Sequence, residues 1–144
     1  MENAKIREAR REELAQIVTL YNLMWTDSDT PIDTKVGENI FDQMQGDRQW
    51  MYVVDLDGRV VASFMVLIGG ADGSECILDN VVVHPRYQRK GIGRKMLAFV
   101  TEKCLEMGCR QIVVSKRERD RGSKGFYESL GFERTSVGFV RRLD

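Results

Sequence analysis

The sequence contains one histidine, His84, and two prolines, Pro31 and Pro85, and it nowhere carries the run of about 20 apolar residues that a membrane-spanning helix needs. A lone histidine excludes a multi-histidine metal centre. The N-terminal stretch MENAKIREARREE is charged and leads into no apolar run, unlike a secretory leader. Cys76, Cys104 and Cys109 are odd in number and lack the spacing of a zinc site. Buried thiols are therefore expected, with no disulfide framework and no metal. Net charge of one sign is also missing, since 22 basic and 22 acidic residues cancel. With no repeat, low-complexity tract or linker, the 144 residues read as one domain, 1–144, of a cytoplasmic protein with no membrane partner.

The charges that are present are unevenly placed. Arg86, Arg89, Lys90, Arg94 and Lys95 form one basic cluster, and Lys116, Arg117, Arg119, Arg121 and Lys124 form a second, diluted by Glu118 and Asp120. Residues 12–57 hold ten acidic side chains against Lys35 and Arg48. One part of the molecule suits anions and another suits cations.

Periodicity sets the order of elements. A short strand over 5–9 precedes a helix that aligns Leu14, Ile17, Val18, Tyr21 and Met24, and Val36, Ile40, Phe41 and Met44 mark a second helix closed by Gly46. WMYVVDLDGRVVASFMVLI reads as two strands around an Asp57-Gly58 turn, and CILDNVVV as a fourth strand stopped by Pro85. A helix opened by Gly91 and ended by Gly108, a buried strand QIVVS, a helix in SKGFYESLGF and a last strand region complete an α/β chain with a mixed sheet.

The junction HPRYQRKGIGRKML, residues 84–97, carries the chemistry. Where a strand gives way to a glycine-rich turn and a helix, unpaired backbone N–H groups converge with the positive end of the helix dipole, a setting that favours phosphate. Gly91 and Gly93 allow close approach of a ligand to the main chain. GxxxxGK[ST] is absent, and Met96 occupies the third glycine position of GxGxxG, which disfavours nucleoside triphosphates and NAD.

QRKGIG at 88–93 resembles the (Q/R)xxGx(G/A) signature of the GNAT acetyltransferase superfamily. VVVHP before it is similar to that family's fourth strand, and FYESLGF at 126–132 to its C-terminal motif. The resemblance covers nearly the whole chain. It implies a GNAT fold: a mixed, mostly antiparallel central sheet with flanking helices, its fourth and fifth strands splayed apart. It also implies acetyl-CoA as cosubstrate, with no metal. The amides of Gln88, Arg89, Lys90, Gly91, Ile92, Gly93 and Arg94 would wrap the pyrophosphate, main-chain groups of Val81, Val82 and Val83 would pair with the pantetheine arm, and Lys124 would reach the 3′-phosphate. Asp120 and Ser123 depart from the asparagine and alanine common in the family.

Tyr127 matches the family's tyrosine near the cofactor sulfur, where a phenol can protonate a departing thiolate. Its bland reading is a core aromatic beside Phe126. Asp79 stands where many relatives carry a carboxylate for general base work, and it could equally brace a strand bulge. A backbone N–H near Val81 or Val82 would stabilise the charge growing on the carbonyl oxygen. The implied acceptor is a primary amine, and Asp27, Asp29 and Asp33 in TDSDTPID suggest a cationic one. LDNVVV is also similar to the fourth strand of glucosamine-phosphate N-acetyltransferases, which keeps amino sugars open beside small amines and peptide amines.

The rival reading is a coenzyme-A-binding regulatory module without turnover. A nucleic-acid binder is disfavoured, because aromatics do not interleave with the basic clusters and the net charge is zero. The C-terminal segment SVGFVRRL leaves room for a homodimer.

Overall fold

The fold comes from a computed structural model, which describes residues 3–25, 30–115, 118, 125–135 and 138–143. β1 (Ala4–Glu8) leads through a 3-10 turn into α1 (Leu14–Met24) and α2 (Thr34–Gln43). β2 (Gln49–Leu56), β3 (Arg59–Gly69) and β4 (Glu75–Val83) follow, then α3 (Ile92–Glu106), β5 (Gln111–Ser115), α4 (Phe126–Ser129), β6 (Glu133–Thr135) and β7 (Gly138–Arg142). The strands form one seven-stranded sheet in the order β1-β2-β3-β4-β5-β7-β6. Only β4 and β5 run parallel among the described strands.

Alternation along the strands divides the core in two. Met51 and Val53 face α1 and α2, packing with Ile17, Tyr21 and Phe41. Tyr52 and Val54 face α3, packing with Met96, Val100 and Cys104. The β2–β3 turn uses Asp57 and Gly58, both with positive φ (51° and 88°), the backbone that a two-residue hairpin matched to strand twist demands.

Three expectations change. α2 ends at Gln43 with Met44 as its C-cap, and Gly46 instead makes an isolated bridge with Gln49. The last strand region folds as two strands, with β7 paired to β5 on one side and β6 on the other. Cys76 and Cys104 are joined as a disulfide, leaving Cys109 as the free buried thiol. Odd parity permits one bond plus one thiol, and the crossing of α3 over β4 brings the two Cα atoms to 6.0 Å, within disulfide reach.

β4 and β5 pair only from Glu75↔Gln111 to Leu78↔Val114, although β4 runs on to Val83. Beyond Leu78 the two strands part. On its other side β4 stays with β3, but the register slips between Ser63 and Met65, leaving Asn80 and Val81 as a bulge. Asn80 takes a positive φ of 49°, which asparagine tolerates better than most residues.

Candidate active site

The wedge between β4 and β5 is where side chains and main chain meet. Asp79 is half-buried at its apex, and its Oδ1 accepts the Asn80 N–H at 2.9 Å, so one carboxylate oxygen braces the bulge. Asn80 itself is buried, and its Oδ1 finds no hydrogen-bond partner among the described residues. Kinked there, β4 aims the Val81 N–H away from β3 and into the gap, where it meets a side chain.

That side chain is Glu118, 1% exposed. Its Oε1 accepts the Val81 N–H at 3.0 Å and its Oε2 accepts the Tyr127 O–H at 2.7 Å. The Glu118 amide in turn donates to Ser115 Oγ at the end of β5. A single carboxylate therefore bridges the opening from β4 to α4.

Tyr127 is 2% exposed. Its ring lies among Phe126, Phe132 and Phe139, with centroids 5.0, 5.6 and 5.6 Å away. Burial pushes its phenol pKa well above 10, and the nearby charge of Glu118, its hydrogen bond and then Asp79 push it in the same direction. The phenol is therefore held protonated. Tyr127 is a core aromatic, and its hydroxyl reaches the wedge.

The basic junction lies where β4 leaves the sheet. His84 Nδ1 accepts the Arg86 N–H within a 3-10 turn over Pro85–Tyr87. Gln88 folds back to donate from Nε2 to the Val83 carbonyl at 3.0 Å, so this side chain fastens the loop to β4. Arg89, Lys90, Gly91 and Arg94 are exposed, whereas Ile92 is buried and anchors the first turn of α3. Gly91 caps that helix at φ 87° with nothing within 4 Å of where a Cβ would stand. The α3 entrance thus has left-handed backbone and open space together.

Gly93 also serves packing: a Cβ there would stand 2.9 Å from Phe126 Cε1, so glycine lets α4 sit close on α3. Lys95 turns to the Ala4 carbonyl of β1 and leaves the basic cluster. Val82 is buried against α1, and Val83 is buried toward α3. Of the expected pantetheine partners, the Val81 N–H is engaged by Glu118 and the Val83 carbonyl by Gln88.

Asp33 caps α2, its Oδ1 accepting the Val36 N–H at 2.9 Å, which accounts for one of the three acidic residues assigned to the acceptor wall. Asp27, Asp29, Lys124, Asp120, Ser123 and the basic residues around Glu118 lie outside the described residues. No group of three or more His, Cys, Asp or Glu among the described residues is arranged to hold a metal, and no described helix is long and apolar enough to cross a membrane. Glu118 is the residue that sequence reasoning missed. Its only signal was a carboxylate set among five cations just past a central strand.

Comparison with known proteins bears on the same elements. An N-acetyltransferase from Staphylococcus aureus Mu50 superposes with a TM-score of 0.78 at 18% identity, covering 99% of each chain. A Salmonella typhimurium protein solved with its cofactor acetyl-CoA gives 0.75 at 24% identity, over 99% of this chain and 95% of the other. A phosphinothricin acetyltransferase from Sinorhizobium meliloti in complex with acetyl-CoA gives 0.78 at 19%, over 98% and 89%. These likenesses show the fold. The model of the acetyltransferase (GNAT) family matches residues 14–132, from the first turn of α1 to the end of the FYESLGF motif. With the parted β4 and β5, the bulge and the glycine-capped α3 inside that span, the chain belongs to the GNAT acetyltransferase family.

Proposed function

We propose that this chain is an acetyl-CoA-dependent N-acetyltransferase that moves the acetyl group directly to a primary amine of a small molecule, amino sugar or peptide. The observation that carries it is the convergence of the Val81 N–H and the Tyr127 O–H in the wedge where β4 and β5 part. The residues fit acetyl-CoA. The open, positive-φ entrance to α3 suits a pyrophosphate held by amides of residues 88–94, with Arg89, Lys90 and Arg94 exposed around it. Past Leu78 β4 has no ladder to β5, which suits an amide-bearing arm at residues 81–83, and Lys124 is proposed for the 3′-phosphate. When bound, acetyl-CoA supplies an acyl group activated as a thioester.

The chain's own residues then divide the work. A lysine-like amine keeps its proton at pH 7, and removing it costs about 4 to 5 kcal/mol, so a proton acceptor is needed. Asp79, half-buried at the apex of the wedge, takes that proton directly or through water. The Val81 N–H faces the carbonyl oxygen as it gains charge; such a donor is worth roughly 10²- to 10³-fold in rate. Tyr127, kept protonated by its surroundings, gives its proton to the departing sulfur.

Calorimetric titration with coenzyme A and acetyl-CoA, followed by an acetyl-CoA consumption screen over amines, amino sugars and peptides, tests this reading. Wild-type protein should bind both and turn over at least one amine, and Tyr127→Phe and Asp79→Asn should be slowed. No association with either form of the cosubstrate would refute it. Binding without transfer, unchanged in Tyr127→Phe, would favour the regulatory module instead.

A further inference from the structure

Glu118 takes both donors that the proposed reaction needs. The Val81 N–H has to meet a carbonyl oxygen and the Tyr127 O–H has to meet sulfur, yet both point at one buried carboxylate. An acyl group cannot use that amide while Glu118 holds it. Resting on the reading above, we propose that Glu118 is a positioning residue that stands in for the thioester carbonyl, so that an acyl-loaded cosubstrate displaces it and frees both donors in one movement, whereas free coenzyme A does not.

The chemistry supports discrimination between the two forms. A thioester brings a carbonyl acceptor that can replace the carboxylate at Val81, while a free thiol offers only a weak acceptor and a weak donor. Coenzyme A without its acyl group therefore leaves the lock closed. A carboxylate as acceptor also makes the lock firm, since hydrogen bonds to charged groups are stronger than neutral ones.

The consequence is a bias for the loaded cosubstrate that is smaller than it would be without the lock, because displacement costs acyl-loaded binding and leaves coenzyme A binding untouched. Calorimetry on wild type, Glu118→Ala and Glu118→Gln with acetyl-CoA and with coenzyme A reads this directly. In Glu118→Ala the ratio of the coenzyme A Kd to the acetyl-CoA Kd should rise about tenfold, through tighter acetyl-CoA binding. Glu118→Gln, which keeps a neutral acceptor for Val81, should fall between. A ratio within twofold of wild type in both variants, or acetyl-CoA binding that weakens, would overturn the proposal. If Glu118→Ala fails to melt cooperatively, Glu118→Gln decides on the same criteria.

A pH profile gives a second readout, which tests whether the Glu118 charge lies against the Tyr127 phenol. Among the described residues, the charged groups facing the Tyr127 phenol are Glu118 and Asp79, both raising its pKa beyond the effect of burial. Its acid function needs the proton, so activity is lost as pH rises through that pKa. Glu118→Gln removes one of the two charges, and the alkaline limb of kcat/KM for acetyl-CoA, which reports the free enzyme, should move to lower pH. An unmoved limb would count against the lock. If wild type binds neither form of the cosubstrate, the functional reading itself has failed; if it binds both and the ratio stays fixed, only the role of Glu118 has.

Discussion

Gly93→Ala pits helix propensity against packing, and the contacts of α3 decide the sign. Alanine is favoured over glycine inside a helix by up to about 1 kcal/mol, and less in a first turn. Against this, the new methyl would stand 2.9 and 3.1 Å from Phe126 Cε1 and Cζ, whereas carbons at optimal separation lie about 3.5 to 4.0 Å apart. Phe126 cannot yield freely, because its ring packs edge-on against Tyr127 at 5.0 Å and lies against the core. Overpacking of this kind costs about 1 to 3 kcal/mol, so the net expectation is a loss of about 1 kcal/mol and a drop of roughly 3 to 5 °C in Tm. Urea unfolding of wild type, Gly93→Ala, Phe126→Leu and the double variant closes a double-mutant cycle. The two sites should couple by about 1 kcal/mol, the methyl being tolerated once the ring is gone. If Gly93→Ala stabilises the protein and the coupling lies within about 0.3 kcal/mol of zero, then the packing account of Gly93 is wrong.

Tyr127→Phe should lower kcat by at least about 10²-fold and, by taking a donor from buried Glu118, lower stability by about 2 kcal/mol in the same urea assay. Acid should weaken the β1–β2 edge, where Arg7 binds Glu13 at 2.6 Å and Asp55 at 3.1 Å. Glu13 is held below the ordinary carboxylate range chiefly by its hydrogen bond from Arg7, and Asp55 chiefly by the Gly58 N–H with Arg7 adding to it. Depressed carboxylates contribute stability above their unfolded pKa values of about 4, and that contribution is lost as pH falls through the folded values. Tm should therefore fall below about pH 4, and less steeply in Glu13→Gln. Thiol titration of denatured, unreduced protein should find Cys109 alone, and reduction should lower stability by about 3.5 kcal/mol for a bond spanning 28 residues. Three titratable thiols would remove the Cys76–Cys104 bond from the account.

Local chemistry made much of the fold legible in advance. Asp57-Gly58 announced the hairpin, Pro85 ended β4, and Gly91 and Gly108 bracketed α3, because each acts through its own backbone. QRKGIG and FYESLGF placed the family for the same reason: they are contiguous. What stayed hidden depends on pairs distant in sequence. The close packing of Gly93 against Phe126 is one such pair. The hold of the Gln88 side-chain amide on the Val83 carbonyl stayed hidden too. Cys76 and Cys104 give no hint of pairing until α3 crosses β4. Glu118 is the sharpest case. Along the chain it is one acidic residue diluting a basic stretch, and only the divergence of β4 from β5 turns it into the acceptor for two donors from elements 37 and 9 residues away.

The four-residue seam between β4 and β5 has a mechanical meaning. Among the described residues, β5, β7 and β6 are joined to the rest of the sheet by those few ladder bonds, the Glu118 bridge and the covering helices, an arrangement of two plates along a short seam. Anything that lies lengthwise in the notch and offers amides to β4 would act as an eighth strand. On the function proposed above, a bound cosubstrate would be a structural member while it stays, and its departure would take a rib from the notch.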